Sequence, residues 1–400
     1  MSALSTLESA QYPLSHIVGA NGLIVDGDWV ESKDQDPDGD VRLIQLADIG
    51  IGRFLDKSNR FLTSAKASEL GCTFLKQGDI LVARMPDPIG RACIFPGSSQ
   101  PCVTVVDVCI VRPDFRQVNN RWLSWAINAP HFSRAIDKYV KGTTRQRISR
   151  TNLESISLPL PSIEDQVRIA AILDAADALR VKRRATLFKI DTLTQSIFIE
   201  MFGDPIFNSK KWPLKKLGDV GTLDRGVSKH RPRNAPDLLG GIHPLIQTGE
   251  VANCDGYIRS YKNTYSDSGL RQSKMWPAGT LCITIAANIA KSGILTFDAC
   301  FPDSVVGFRA EEPATVEFVR VWLSFLQQAL EDSAPESAQK NINLAILRDL
   351  RVPLPPLDLQ RRFANSLRSA ERLRSLHHIA LKRTDLLVDS LQRSAFQGEL

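Results

Sequence analysis

The feature that most constrains this chain is that it repeats itself. The segment RISRTNLESISLPLPSIEDQ (147–166) returns as NINLAILRDLRVPLPPLDLQ (341–360), setting Ile148 on Ile342, Leu153 on Leu347, Pro159 on Pro353 and Gln166 on Gln360. Each pair is 194 positions apart (148 to 342, 166 to 360), and the same step carries Phe202 onto Phe396. Upstream the match loosens to a step near 200. There YPL (12–14) falls on WPL (212–214), LIQLADI (43–49) on LIQTGEV (245–251), and QGDILVAR (77–84) on AGTLCITI (278–285). Two copies with short, drifting gaps describe a duplicated unit, because a solenoid needs three or more repeats to bury its core.

Each unit has two parts. The first is a run of short Val-, Ile-, Phe- and Thr-rich stretches broken by Gly, Pro and Asp, the pattern of a mixed, β-rich domain. The second is helical: neither Pro nor Gly occurs from Ile163 to Met201 or from Leu357 to Gln397, and each run follows a proline-rich stop, LPLPS or VPLPP. The predicted boundaries are 1–161 for the first β-rich domain, 162–201 for the first long helix, 202–356 for the second domain and 357–400 for the second helix. Apolar residues stripe the first helix at Ile169, Ile172, Ala176, Leu179, Leu187, Ile190, Leu193 and Ile197. In the second the stripe is Phe363, Leu367, Ala370, Leu373, Leu376, Ala380, Leu387 and Leu391. A helix of about 39 residues is about 58 Å long, and one striped on a single side needs a partner helix. The repeat supplies it. The expected fold is α+β: two β-rich domains separated by two long antiparallel helices in a coiled coil, with a pseudo-twofold internal repeat.

The chemistry that is missing narrows the function. There is no Gly-Lys dipeptide, so no phosphate-binding P-loop. No [DNS]-P-P-[YF] motif for holding a flipped base occurs, and no Gly-rich strand–turn–helix for a methyl donor. The only Glu-x-Lys, ESK at 31–33, has no Pro-Asp before it, which argues against a metal-dependent nuclease. The seven cysteines (72, 93, 102, 109, 254, 282, 300) contain no C-x-x-C, and the six histidines show no ligand spacing beyond the adjacent pair His377–His378. Cys93, Cys102 and Cys109 lie in apolar runs and read as small buried hydrophobes. The expectation is a chain with no active site, metal or cofactor of its own. The alternative is a DNA-cleaving or DNA-modifying enzyme whose active site has no familiar motif. No run of eighteen apolar residues occurs and the N-terminus has no apolar signal core, so a cytoplasmic protein without a membrane span is expected.

The net charge of +6 permits nucleic-acid binding without requiring it. Its distribution says more. KYVKGTTRQRISRTNL (138–153) holds Lys138, Lys141, Arg145, Arg147 and Arg150 with no acid, interleaved with Thr144 and Gln146. In the second repeat RGVSKHRPR (225–233) gathers Arg225, Lys229, Arg231 and Arg233. These are the side-chain types that contact phosphates and base edges. One basic cluster per repeat points to DNA.

The repeated unit resembles that of the specificity subunit of type I restriction–modification systems. The resemblance rests on GDILVAR (78–84), on GTTRQRISRTNLESISLPLPSIEDQ (142–166) with its helix closing on FGDP (202–205), and on AQKNINLAILRDLRVPLPPLDLQ (338–360) with its helix closing on SAFQGEL (394–400). It covers the chain from Tyr12 onward. It implies two target recognition domains, each reading one half of a split, asymmetric sequence in double-stranded DNA. It also implies helices that set the gap and dock two modification (methyltransferase) subunits, with restriction (translocase and nuclease) subunits outside. Such a subunit is non-catalytic; S-adenosylmethionine, ATP and magnesium belong to its partners. By the same resemblance Arg84 and Arg91, Asn288 and Lys291, and Gln339 and Lys340 lie in loops that face DNA. Two loops depart from the family's glycine-rich turn: MPDPIG (85–90), and AANIAKSG (286–293) with Ala290 where glycine is common.

Overall fold

The computed structural model describes residues 10–140, 146–232, 235–286, 290–333, 342–397 and 400. They form two compact units, Met1–Arg184 with Ile379–Leu400, and Ala185–His378. The division falls inside the long helices rather than at their starts, because each unit buries a stretch of both helices in its own core.

In the first unit, strands Leu23–Asp26, Val108–Arg112, Ile80–Ala83 and Ala92–Ile94 make an antiparallel four-stranded sheet in that order. Ile80–Ala83 is buried along its whole length, which is why it reads as an unbroken apolar run. A second sheet orders Phe61–Leu62, Val41–Ile44 and Cys102–Thr104, the last two parallel. The second unit follows the same plan. Five strands order as Thr222–Arg225, Val305–Arg309, Leu281–Thr284, Ser292–Leu295 and Tyr257–Ile258. Four more order as Asn263–Tyr265, Leu239–Leu245, Ala299–Cys300 and Met275–Trp276.

The duplication is visible bond by bond. Ser149 caps helix Arg150–Ser155, its Oγ accepting from the Asn152 N–H (3.2 Å). Asn343, 194 positions on (149 to 343), caps Leu344–Asp349, its Oδ1 accepting from the Ile346 N–H (2.9 Å). The strands that follow, Ser157–Pro159 and Arg351–Pro353, pair with Gln11–Pro13 and Leu214–Lys216. One expected match is corrected here. Tyr12 faces Leu158 and Lys215 faces Val352, so the counterpart of Tyr12 is Lys215, and the likeness of YPL to WPL is only local. The true anchors are Leu14 and Leu217, both fully buried, whose N–H groups donate to Ile156 and Leu350 carbonyls (2.9 Å each).

The long helices run Ile163–Phe202 and Leu357–Gln397. Within the first unit Arg168 donates to the Leu400 carbonyl (3.0 Å) and Arg184 faces Asp385 (3.4 Å), so the two segments are antiparallel. Within the second, Asp191 pairs with Arg374 (2.7 Å) and the Phe198 and Phe363 rings lie 5.5 Å apart, again antiparallel. The buried stripe differs in detail from the expected one. Ile169, Leu173, Ala176, Leu187, Ile190, Phe198 and Phe202 are buried, whereas Leu179 and Leu193 are exposed. On the second helix Phe363, Leu367, Ala370, Val388, Ala395 and Phe396 are buried, whereas Leu373, Leu376 and Leu387 are exposed. The physical reason is a polar stretch of seam. Arg374 sits between Asp191 and Asp255 (2.7 and 3.1 Å), and Thr384 is buried with its hydroxyl on the Ala380 carbonyl (2.8 Å). Cys93, Cys102 and Cys109 are buried, as their apolar surroundings implied, and burial pushes the Cys93 thiol up to about 12.

Candidate nucleic-acid interface

Strands Ile80–Ala83 and Val108–Arg112 pair with Ala83 on Val108, so both open into loops at the same sheet end. Arg84 organises that end. Its N–H donates to the Asp107 carbonyl (2.9 Å), its carbonyl accepts the Ile148 N–H (3.1 Å), and its Nε donates to the Ile148 carbonyl (3.1 Å). Its buried guanidinium also pairs with Asp26. The basic segment is therefore bolted to the sheet through a side chain that the resemblance places in a loop facing DNA. Arg91 does the same for the next loop, donating to the carbonyls of Ile49 (2.7 Å), Met85 (3.0 Å), Pro88 (2.9 Å) and Leu46 (3.0 Å). Both arginines are committed to the protein's own backbone.

Between these braced loops lies a cleft of about 640 Å³, with Asp28, Trp29, Glu31, Gln45, Leu46, Met85, Asp107 and Arg147 in its lining. Trp29 is 67% exposed. The Arg147 guanidinium stands 3.6 Å from the Asp107 carboxylate. Burial raises the Asp28 carboxyl above its ordinary range although it accepts the Thr73 N–H (2.9 Å). The turn carrying Gln45 is rigid: the Gln45 N–H donates to Asp48 Oδ2 (2.8 Å), and Asp48, fully buried, also accepts from the N–H groups of Lys57 and Ser58 (2.7 Å each).

The second unit builds a cleft at the corresponding place, about 340 Å³, with Gln247, Thr248, Asn263, Tyr265, Pro302 and Ser304 in its lining. Gln247 stands where Gln45 stands, its N–H on the carboxylate three residues ahead, Glu250 Oε2 (3.1 Å). Ser304 stands where Asp107 stands: its carbonyl accepts from Ile285 (3.1 Å) as that of Asp107 accepts from Arg84. Gly27 and Gly226 donate to Val108 and Val305 carbonyls (2.8 Å each), and a methyl on either would meet a backbone oxygen at 2.3 or 2.2 Å. Only glycine lets the chain approach so closely where it enters the cleft.

A family model described as the type I restriction modification DNA specificity domain matches residues 48–187 and 209–383. The chain belongs to the DNA-specificity family of type I restriction–modification systems. Its relatives include the putative MjaX specificity subunit of Methanocaldococcus jannaschii, 21% identical over 74% of this chain and 72% of that one. Another is the EcoBI specificity subunit of Escherichia coli, 24% identical over 76% and 70%. The fold matches the specificity subunit of M. genitalium at a TM-score of 0.61 and 14% identity, covering 99% and 98% of the two chains. A chain from a study of type I complex assembly and conformational transition gives 0.61 at 16% identity, covering 98% and 99%. The protein is thus a type I specificity subunit, a non-catalytic DNA-recognition chain, and the enzyme alternative is not favoured.

Of this specificity subunit's expected contact residues, Lys138 and Gln146 are exposed and Arg147 borders the first cleft. Arg225 and Lys229 are exposed in the second unit, and Lys291 is half-buried with its carbonyl accepting the Thr284 N–H (2.9 Å). Arg231 donates to Ser228 and His230 carbonyls (2.6 and 2.8 Å) and faces Asp303 (3.4 Å). Lys141, Thr144, Arg145, Arg233, Asn288, Gln339 and Lys340 lie outside the described residues. Reading for basic clusters passed over Trp29, Gln45, Asp107, Gln247 and Ser304. The repeat of LIQLAD in LIQTGE did carry a signal, since it aligns the two glutamines. Among the described residues, no helix is long and apolar enough to span a membrane and no His, Cys, Asp or Glu group is arranged to hold a metal.

Proposed function

We propose that each unit of this specificity subunit reads one half of a split, asymmetric sequence in double-stranded DNA, and that the paired helices set the gap between the halves. The observation that carries the reading is the duplicated cleft: equivalent position in both units, different side chains. The first combines acids, an arginine and a tryptophan; the second offers two amides, hydroxyls and a tyrosine. Equivalent placement with unequal chemistry is what reading two different half-sites requires. Lys138, Gln146, Arg147, Arg225 and Lys229 are assigned to phosphate or base contact, and Arg84 and Arg91 to positioning the loops that make it.

The helices also carry exposed apolar side chains, including Leu179 and Ile379 in the first unit and Phe188 (70% exposed) and Leu376 in the second. Exposed residues of this kind support docking of two modification subunits, with restriction subunits joining outside and S-adenosylmethionine, ATP and magnesium held by those partners. A complex of this kind works in the cytoplasm, where the DNA is. The test is to assay the pure chain and the chain with modification subunits. The chain alone transfers no methyl group, and the complex binds a specific duplex with an affinity that falls steeply as salt rises. Methyl transfer by the pure chain would overturn the reading.

A further inference from the structure

The first cleft holds a donor and an acceptor side by side. Arg147 and Asp107 lie 3.6 Å apart, 42% and 28% exposed, at its edge. Their backbones are fixed by one residue: Arg84 donates to the Asp107 carbonyl (2.9 Å) and bonds the Ile148 backbone in both directions (3.1 Å each). The two side chains therefore project from a rigid edge rather than from a free loop.

In the major groove guanine presents two acceptors, O6 and N7, and its partner cytosine presents the N4 amino donor. A guanidinium fork complements the first and a carboxylate the second. The same pair of side chains mismatches A·T, where adenine offers an amino donor to the guanidinium and thymine a carbonyl oxygen to the carboxylate. An ion pair this exposed holds together by at most about 1 kcal/mol, so it opens readily toward a base pair. In the second unit Ser304 replaces Asp107 and the named lining of the cleft is uncharged, so that cleft lacks this complement.

We propose that Arg147 and Asp107 together read one G·C base pair in the half-site bound by the first unit, the guanidinium on guanine and the carboxylate on the cytosine amino group. The proposal rests on the reading of this chain as a sequence-specific DNA-binding subunit.

The experiment selects bound duplexes from a pool randomised across both half-sites, using the full chain in complex with its modification subunits. R147A, R147K and D107N are compared with the wild type, and thermal melting confirms that each variant folds. The expected result is that one G·C position in one half-site loses about 5- to 150-fold of its discrimination in all three variants, while every other position and the other half-site are unchanged. R147K separates the roles, because lysine keeps the charge and loses the fork. It should lose discrimination at that position while keeping the salt dependence of binding. Uniform weakening across all sequences would make Arg147 a phosphate contact and overturn the proposal. So would an unchanged preference at every position. A wild-type complex that selects no sequence would instead overturn the reading of the chain, and this inference with it.

Discussion

Gln166 and Gln360 make the same pair of bonds in the two units. Each is buried near the start of a long helix, and each donates its Nε2 to the carbonyl of a proline five residues upstream, Pro161 (3.0 Å) or Pro355 (2.8 Å). Each turns its Oε1 to the neighbouring domain, where Gln166 accepts the Asn119 N–H (2.8 Å) and Gln360 the Thr315 hydroxyl (2.8 Å). One side chain thus joins proline stop, helix start and domain.

Replacing Gln360 with alanine should leave a buried carbonyl and a buried hydroxyl without partners, at about 1–3 kcal/mol each. Replacing Gln166 should cost less, because the Pro161 carbonyl and the Asn119 N–H are only half-buried. Thermal unfolding is the measurement, and a fall of several degrees is expected for the Gln360 variant and a smaller one for the Gln166 variant. A melting temperature equal to wild type would show that neither bond matters.

The repeat, the helices and the basic segments were legible in the sequence because each is written locally. Ile148, Leu153 and Gln166 lie within one short stretch, and their partners lie within another. The cleft was not legible, because it is assembled from residues as far apart as Asp28, Gln45, Asp107 and Arg147. The internal bonding of Arg84 was illegible for the same reason. Nothing beside it in the chain announces that Asp26 and the Ile148 backbone will enclose its guanidinium. The helical stripe failed at Leu179, Leu193, Leu373, Leu376 and Leu387, since spacing alone does not tell an apolar residue in the seam from one on the flank.

Ala290 tests the turn chemistry. It occupies φ 57°, a left-handed conformation, and its N–H donates to the Thr284 carbonyl (2.9 Å). Its counterpart Gly90 has φ 85° and donates to the Ala83 carbonyl (2.7 Å). A left-handed alanine costs about 1–2 kcal/mol, partly offset by the extra freedom a glycine loses on folding. The Ala290 methyl is also buried in the second unit's core, worth about 0.8 kcal/mol, so A290G should leave stability within about 1 kcal/mol of wild type. Denaturant melts read the change, and a larger shift in either direction would contradict it.

His131 gives the stability a pH dependence. Its ring lies 5.5 Å from Phe396 within the first unit, and burial lowers its pKa below the ordinary 6.5. The folded state therefore binds its proton less readily than the unfolded chain. The stabilisation is complete above the unfolded pKa and falls away as pH drops through about 6.5 toward the folded value. In H131F the unfolding midpoint should vary less over that window than in wild type. An identical pH profile would remove His131 from the account.

In the proposed reading the helices act as the ruler between half-sites. Adding one heptad to each helix lengthens it by about 10 Å, close to three base pairs at about 3.4 Å per step, and keeps the seam in register. Mapping methylated sites in cells carrying the variant should show both half-sites unchanged and the gap longer by about three base pairs. Two added residues break the seam and should cost stability and the docking of modification subunits. An unchanged gap in a stable heptad variant would show that the helices do not set it.

The central claim is that each unit reads its own half of the target. The most direct test replaces residues 1–161 with the matching segment of a relative whose recognition sequence differs, then maps methylated bases genome-wide in cells that supply the modification subunits. The account predicts that one half-site is exchanged for the relative's, while the other half-site and the gap stay as they were. A change in both half-sites, or in neither, would contradict it.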